Sequence, residues 1–373
     1  MTTLEPTSAP APTPSATPAP AVDPAAYVRK VGKGRTLLKS LDRDEAREAF
    51  SLLLRGGFTD SQAGAFLQAL RIKELALEEL DGLMDCLLAG QPAAVPRLPA
   101  GGYTLNLASD TPRKGGYASL LASGLLAAGG MPVGVVRSEP VLSGNRNSWD
   151  KTWELMGSLA SAAGHGPGDE IAGHGPGGKI AGHGPACDDG CEAHHAPAAL
   201  CVVEANDLVP GLRNLRRLRG ELGFRSCLHT AEKLLTPWTD RPLVLGISHR
   251  HYAERLTDHL ARRGLTAKIL LGNHGTTDLV LHKETEVWEV LRGGEVRTAF
   301  FHPGELGLAP DPSIYALGAL PEWPAELAKP GHGALGPVLD YHLAFLRYVA
   351  GELSHPRDGA PKTTGVQAGG GEA

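Results

Sequence analysis

What most restricts this chain is the alternation that begins near residue 100. Short apolar runs of strand length fall at 103–107, 132–136, 199–203, 242–247 and 267–271, with helical stretches at 117–128, 149–157, 208–222 and 250–263 between them. Continuous apolar strands separated by helices predict a mostly parallel sheet buried on both faces. Ligands of such sheets sit at the carboxyl ends of the strands. The loop 108–116 lies at that end, between the strand Tyr103–Leu107 and a Leu/Ala-rich helix that stops at Gly129-Gly130. A glycine-containing loop that opens a helix turns free amides and the positive helix end outward, which suits an anion. Arg113 and Lys114, with the amides of Gly115 and Gly116, are therefore candidate phosphate contacts. An ordinary strand-to-helix loop with solvated charges is the competing reading, and the stretch alone leaves both open.

At 373 residues the chain can bury a sizeable core and is expected to divide into two domains. Residues 1–24, almost all Ala, Pro, Thr and Ser, are expected to form a disordered tail. A helical module is predicted over 25–95, with Thr59 and Gln62 as a capping box ahead of Phe66, Leu67 and Leu70. An α/β domain follows over 100–353, with a hairpin somewhere in 278–310 and a last helix over 335–353. Residues 354–373 are expected to fray. The fold class is thus a small all-α N-terminal domain plus a large α/β domain with a mostly parallel central sheet.

The net charge of −5 supplies no global field for nucleic acid, so any such binding must rest on local clusters. No apolar run reaches the ~18–20 residues of a membrane span. The start lacks the basic and apolar regions of a secretory signal, and five scattered cysteines do not form a disulfide framework. A reduced, cytoplasmic protein is expected.

Between 163 and 197 the α/β domain carries an insertion in which Ala-Gly-His-Gly-Pro recurs every nine residues, placing His165, His174 and His183 in identical contexts. Gly and Pro at this density exclude helix or strand interior. Cys187, Cys191, His194 and His195 follow, and two thiols with two imidazoles match the ligand chemistry of zinc. Incidental ligands in an expanded repeat are the alternative.

Residues 208–225 hold five arginines and one acid, a local charge of +4. On a helical wheel Arg213, Arg216 and Arg217 share a face opposite Leu215, Leu218 and Leu222, while Arg219 falls between, where it can turn inward. Arginine suits planar carboxylates and phosphates.

Two stretches carry a resemblance. Gly-Gly-Phe-Thr-Asp-Ser-Gln-Ala-Gly-Ala-Phe-Leu-Gln-Ala-Leu-Arg-Ile-Lys (56–73) is similar to the N-terminal domain of the anthranilate phosphoribosyltransferase family, glycosyltransferase family 3. Leu208-Val-Pro-Gly and Arg219-Gly-Glu-Leu-Gly-Phe-Arg225 resemble that family's segment with an arginine that contacts anthranilate, and Arg219 occupies its place. The likeness spans roughly 27–350 apart from the insertion. It implies the nucleoside phosphorylase/phosphoribosyltransferase fold, a helical domain that pairs two subunits, and a ligand cleft between the domains.

The family also binds phosphoribosyl pyrophosphate with a Gly-Thr-Gly-Gly-Asp loop and a Lys-His-Gly-Asn-Arg segment, and holds magnesium with an Asp-Glu pair. Here the first place reads Leu107-Ala-Ser-Asp-Thr-Pro-Arg-Lys-Gly-Gly116, the second Val135-Val-Arg-Ser-Glu-Pro140, and the third Gly275-Thr-Thr-Asp-Leu279. Side chains in place of glycines block the approach of backbone to pyrophosphate. One electrostatic donor is commonly worth ~3–4 kcal/mol in the transition state. A branch of the family that keeps the fold without the pyrophosphate loop binds DNA or RNA, and Leu41–Arg47, Arg71–Lys73, Leu228–Leu234 and Ser248-His249 look like it. That resemblance implies a homodimer whose basic interdomain cleft holds a phosphate backbone; the expectation is a non-catalytic nucleic-acid-binding protein with no cofactor, with Arg113, Lys114, Gly115, Gly116, Arg137, Arg146, Lys151, Arg216, Arg217 and Arg219 as the candidate phosphate contacts. The alternative is a phosphoribosyltransferase moving phosphoribose, with magnesium, from phosphoribosyl pyrophosphate to an aromatic or other small acceptor, with Arg219 orienting that acceptor.

Overall fold

The structure is a computed structural model that describes residues 23–33, 37, 39–91, 96–108, 118–138, 154, 199–271, 273–308, 325–326 and 328–359. The first elements are four helices, α1 (Pro24–Val31), α2 (Arg43–Leu54), α3 (Asp60–Lys73) and α4 (Leu77–Ala89). Their starts are written in the sequence. Asp42 and Glu45 close a capping box on α2, and Thr59 and Gln62 close the predicted one on α3. Phe50 and Phe58 pack against Phe66 at 5.6 and 5.3 Å between ring centroids. A buried carboxylate, Glu79, accepts from the amides of Leu41 at 2.9 Å and Ala76 at 2.8 Å and from Lys73, and so ties the loop before α2 to α4.

The sheet follows the predicted alternation. β1 (Tyr103–Leu107), β2 (Val133–Arg137), β3 (Leu200–Glu204), β4 (Leu243–Ile247) and β5 (Ala267–Leu271) are parallel, and β6 (Thr285–Val290) with β7 (Val296–Phe301) adds an antiparallel hairpin. The order is β3-β2-β1-β4-β5-β6-β7. The chain therefore reverses its direction of travel across the sheet at β1, between β2 and β4, and such a switch point opens a crevice at the carboxyl ends. All residues of β1 and β4 are buried, as parallel central strands require.

Two apolar layers sandwich the sheet. One joins it to the helical module and to α6 (Ala205–Leu208), α7 (Leu212–Leu222), α8 (Cys227–Glu232) and α9 (Arg250–Arg262). The other packs α5 (Ala118–Ala128) and α10 (Gly336–Val349) on the opposite face. The helix expected over 208–222 is divided: α6 ends at Leu208 and α7 begins at Leu212, across Val209-Pro210-Gly211. Pro210 lacks the amide that a continuous helix needs. The helix expected at 149–157 and the 163–197 insertion lie outside the described residues, apart from residue 154.

Candidate functional site

The carboxyl ends of β1, β2, β3 and β4 converge on α7 and α8. Arg137 ends β2 and pairs with Glu204, which ends β3; burial raises the Glu204 pKa against the pull of that guanidinium. On α7 the arginines separate. Arg213 stays exposed and bonds Asp207 at 3.3 Å, and exposed Arg217 bonds Asp60 at 3.1 Å and Glu221. Arg216 is not on the solvated face that the wheel assigns: it is 9% exposed and bonds the buried Glu232 at 3.1 Å, where Ser138 donates to the same oxygen at 3.1 Å. The wheel treats one helix in isolation, whereas α8 supplies a buried carboxylate on that side.

Arg219 turns inward as its position predicts. It is 8% exposed, and its Nη1 lies 3.4 Å from Nδ1 of His229 on α8. Burial, then the charges of Lys233, Arg219 and Arg225, push the His229 pKa well below that of a free imidazole. A guanidinium only donates, so the neutral His229 accepts at Nδ1 and carries its proton on Nε2. Lys233 follows α8 and donates to Gly246 O and, at 2.6 Å, to Gly275 O, fastening the end of β4 to the turn after β5. Gly246 is required there, because a Cβ would stand 1.9 Å from Thr276 O.

Where the family keeps its acidic pair, the carboxylate of Asp278 faces α5. Its Oδ1 accepts from Ser119 N at 2.9 Å and Ser119 Oγ at 2.7 Å. It thus satisfies a free amide in the first turn of the helix that the sequence reading assigns to an anion. Burial raises the Asp278 pKa. His342 Nε2 is 3.9 Å away but accepts from Leu279 N at 2.9 Å, so this imidazole is neutral and adds no ion pair. Magnesium wants several hard oxygen ligands. Among the described residues this place offers one carboxylate, already engaged by Ser119, and that donor set does not fit an ion held by paired acids. No cluster of three metal-ligating side chains occurs among the described residues.

Arg113, Lys114, Gly115, Gly116, Arg146 and Lys151, and the proposed zinc ligands Cys187, Cys191, His194 and His195, lie outside the described residues. Sequence reasoning did not single out a cavity of about 290 Å³ beside α8, lined by Arg71, Arg225, Lys233 and Arg255. Its cations come from α3, the α7–α8 turn, the residue just past α8 and α9, and the stretches Arg71–Lys73, Leu228–Leu234 and Ser248-His249 named from the sequence all contribute to its wall. No helix among the described residues is long and apolar enough to cross a membrane.

A helical bundle set beside an open, mostly parallel sheet places this chain in the class of α/β proteins whose ligands bind in the crevice at a strand-order switch point, here at β1. Comparison with known proteins gives the family. The glycosyl transferase family helical bundle domain matches residues 25–89. Anthranilate phosphoribosyltransferase of Methylobacterium sp. (strain 4-46) is 31% identical over 318 residues, covering 84% of this chain and 82% of the relative. That of Methylobacterium nodulans is 29% identical over 324 residues, with the same coverage of 84% and 82%. Among solved structures, anthranilate phosphoribosyltransferase from Thermus thermophilus shares the fold, with a TM-score of 0.64 at 19% identity over 90% of this chain and 92% of that one. The chain belongs to the anthranilate phosphoribosyltransferase family, glycosyl transferase family 3.

Proposed function

We propose that this protein is a phosphoribosyltransferase that holds a phosphoribosyl donor and a small acceptor at the carboxyl ends of β1, β2 and β4. The observation that carries the reading is Arg219: it is turned inward from α7 and set against a neutral histidine. A fixed guanidinium in a sparsely hydrated crevice orients a planar anionic acceptor by paired hydrogen bonds. The donor's phosphates fall to Arg113, Lys114 and the amides of Gly115 and Gly116. Arg137 contributes less to them, because Glu204 already balances its charge. Titration calorimetry with phosphoribosyl pyrophosphate, with and without Mg²⁺, tests the donor half. Micromolar binding together with transfer to an aromatic acid that Arg219→Ala abolishes supports the reading; no binding with either addition overturns it.

A second reading, nucleic-acid binding without transfer by a homodimer, is favoured by one observation. Asp278 is engaged by Ser119 rather than left open for a metal. Its signature is a gel shift of random DNA whose log affinity falls with log salt at about −0.9 per phosphate contacted, and which Arg113→Ala with Lys114→Ala removes. The pairing of Arg137, Arg216 and Arg217 with acids weighs against it, since each of those charges is already balanced. A zinc site at Cys187, Cys191, His194 and His195 would be compatible with either reading.

A further inference from the structure

The outermost strand of the sheet differs from the others. β7 ends the strand order, and β5 and β6 separate it from β4 and the crevice. The strands β1 to β5 are buried along most of their length, whereas Val296, Arg297, Thr298 and Phe300 of β7 are exposed. Val296 at 39% and Phe300 at 49% stand out among the large apolar side chains left exposed in the described residues; the others, Leu37 and Ile72, lie in the helical region.

The register of β7 on β6 fixes which of its backbone groups face outward. Leu291 N donates to Glu295 O at 2.8 Å, so these opposed residues form a hydrogen-bonded pair. The continuous register carries the same pattern to Glu289 with Arg297 and to Val287 with Ala299. The amides and carbonyls of Val296, Thr298 and Phe300 therefore point away from β6, to an edge that no strand pairs among the described residues. Their side chains share the face on which Arg250 of α9 lies 5.9 Å from the Trp288 ring, since Trp288 stands opposite Thr298. Arg297 and Phe301 lie on the other face, where Arg297 bonds Glu289 and, at 3.0 Å, Tyr348 Oη, and Phe301 packs on Phe345 at 5.3 Å. Sheet proteins that stay monomeric blunt an outer edge with lysine, proline, a bulge or an inward-pointing charge. Between Val296 and Phe301 there is no proline, lysine or bulge, and the one charge is folded back onto Glu289.

An antiparallel strand added to this edge must set outward-bonding residues opposite one another. A second β7 meets that condition about a two-fold axis at Thr298. Val296 of one copy then stands opposite Phe300 of the other, and Thr298 opposite Thr298. Aromatic with β-branched and threonine with threonine are stabilising cross-strand pairs. A symmetry axis sets one residue against itself, where a charge would repel, and Thr298 is neutral. On the other face Arg297 meets Ala299, so no like charges are opposed. We propose that β7 is a self-recognition edge through which two copies of this chain join antiparallel about a two-fold axis, making one sheet continuous across the pair. This contact is distinct from the helical-domain pairing that the family resemblance implies, and it does not rest on phosphoribosyl transfer. One strand and its apolar stripe make a small specific interface, so the pair is reversible and its population follows protein concentration.

The test is sedimentation velocity of the full chain over a concentration series, with hydrogen exchange of Val296–Phe301 as a second readout. A concentration-dependent association step is expected, accompanied by slower exchange in that segment. Thr298→Pro removes an outward N–H without touching the β6 ladder, and Phe300→Lys puts a charge in the stripe; each should abolish the step. Ile72→Glu, in the helical module, should leave it in place. Circular dichroism establishes that the variants fold, and Phe300→Lys alone decides if Thr298→Pro does not. No association at any concentration, association that a folded β7 variant retains, a step that only Ile72→Glu removes, or exchange in Val296–Phe301 that does not slow with association overturns the proposal.

Discussion

Nδ1 of His259 lies 2.6 Å from Oδ1 of Asp81, joining α9 of the α/β region to α4 of the helical module. Both side chains are buried, and Arg262 donates to the other Asp81 oxygen at 3.1 Å. Glu78 and Asp85 from α4, Arg262 from α9 and Arg263 at its end surround the pair, and Arg43 reaches Asp85 from α2. Burial lowers the His259 pKa despite the carboxylate, so the folded protein keeps the imidazole neutral with its proton donated to Asp81.

This sets the acid response. A histidine whose folded pKa lies below its unfolded value of about 6.5 stabilises the fold fully above that pH and loses the contribution as pH falls. His229 and His342 shift in the same direction. The urea midpoint is expected to be flat above about pH 7.5 and to fall steadily below about 6.5. His259→Gln should make that fall shallower. A midpoint that rises on acidification would contradict the assignment.

Glu289 is fully buried on β6 and accepts from Lys268, Arg297 and, at 2.7 Å, Tyr348. Removing the acid strands a buried ammonium, so Glu289→Ala is expected to cost about 3–5 kcal/mol in urea unfolding. Replacing both members of the cross-strand pair, Lys268→Met with Glu289→Leu, should recover much of the loss, because neither desolvated charge then remains.

Gly246→Ala places a methyl group 1.9 Å from a backbone oxygen, which cannot move aside as a side-chain tip can. Overpacking commonly costs about 1–3 kcal/mol, and backbone contact puts this site at the upper end or beyond. Thermal unfolding should show a lowered midpoint, since the displaced turn at Gly275 also loosens the carbonyls that hold Lys233.

Arg216 and Arg217 are adjacent in sequence and should differ sharply in the size of their effect. Arg216→Ala leaves Glu232 buried without its guanidinium and is expected to destabilise by about 3–5 kcal/mol. Arg217→Ala removes two exposed, solvent-screened pairs and is expected to leave the urea midpoint nearly unchanged, with salt erasing any remaining difference. Equal effects in denaturant titrations would refute the burial difference.

Much of the fold was legible because its signals are local. Thr59 and Gln62 mark α3 three residues apart, and each buried strand announces itself as a short apolar run. The hairpin over 278–310 and the last helix were legible for the same reason. The site was less so. Arg219 could be picked by its position between two helix faces, but Arg216 could not, because the carboxylate that draws it inward belongs to another element.

The sequence by itself determined most secondary elements, the parallel character of the sheet and the family, since caps, periodicity and motif spacing act over a few residues at a time, whereas the strand order came from the fold. Only the tertiary structure decided which acid each cation meets. Arg217 meets Asp60 across 157 positions and Arg255 meets Glu74 across 181. Coulomb attraction depends on separation in space, and folding, not chain order, sets that separation.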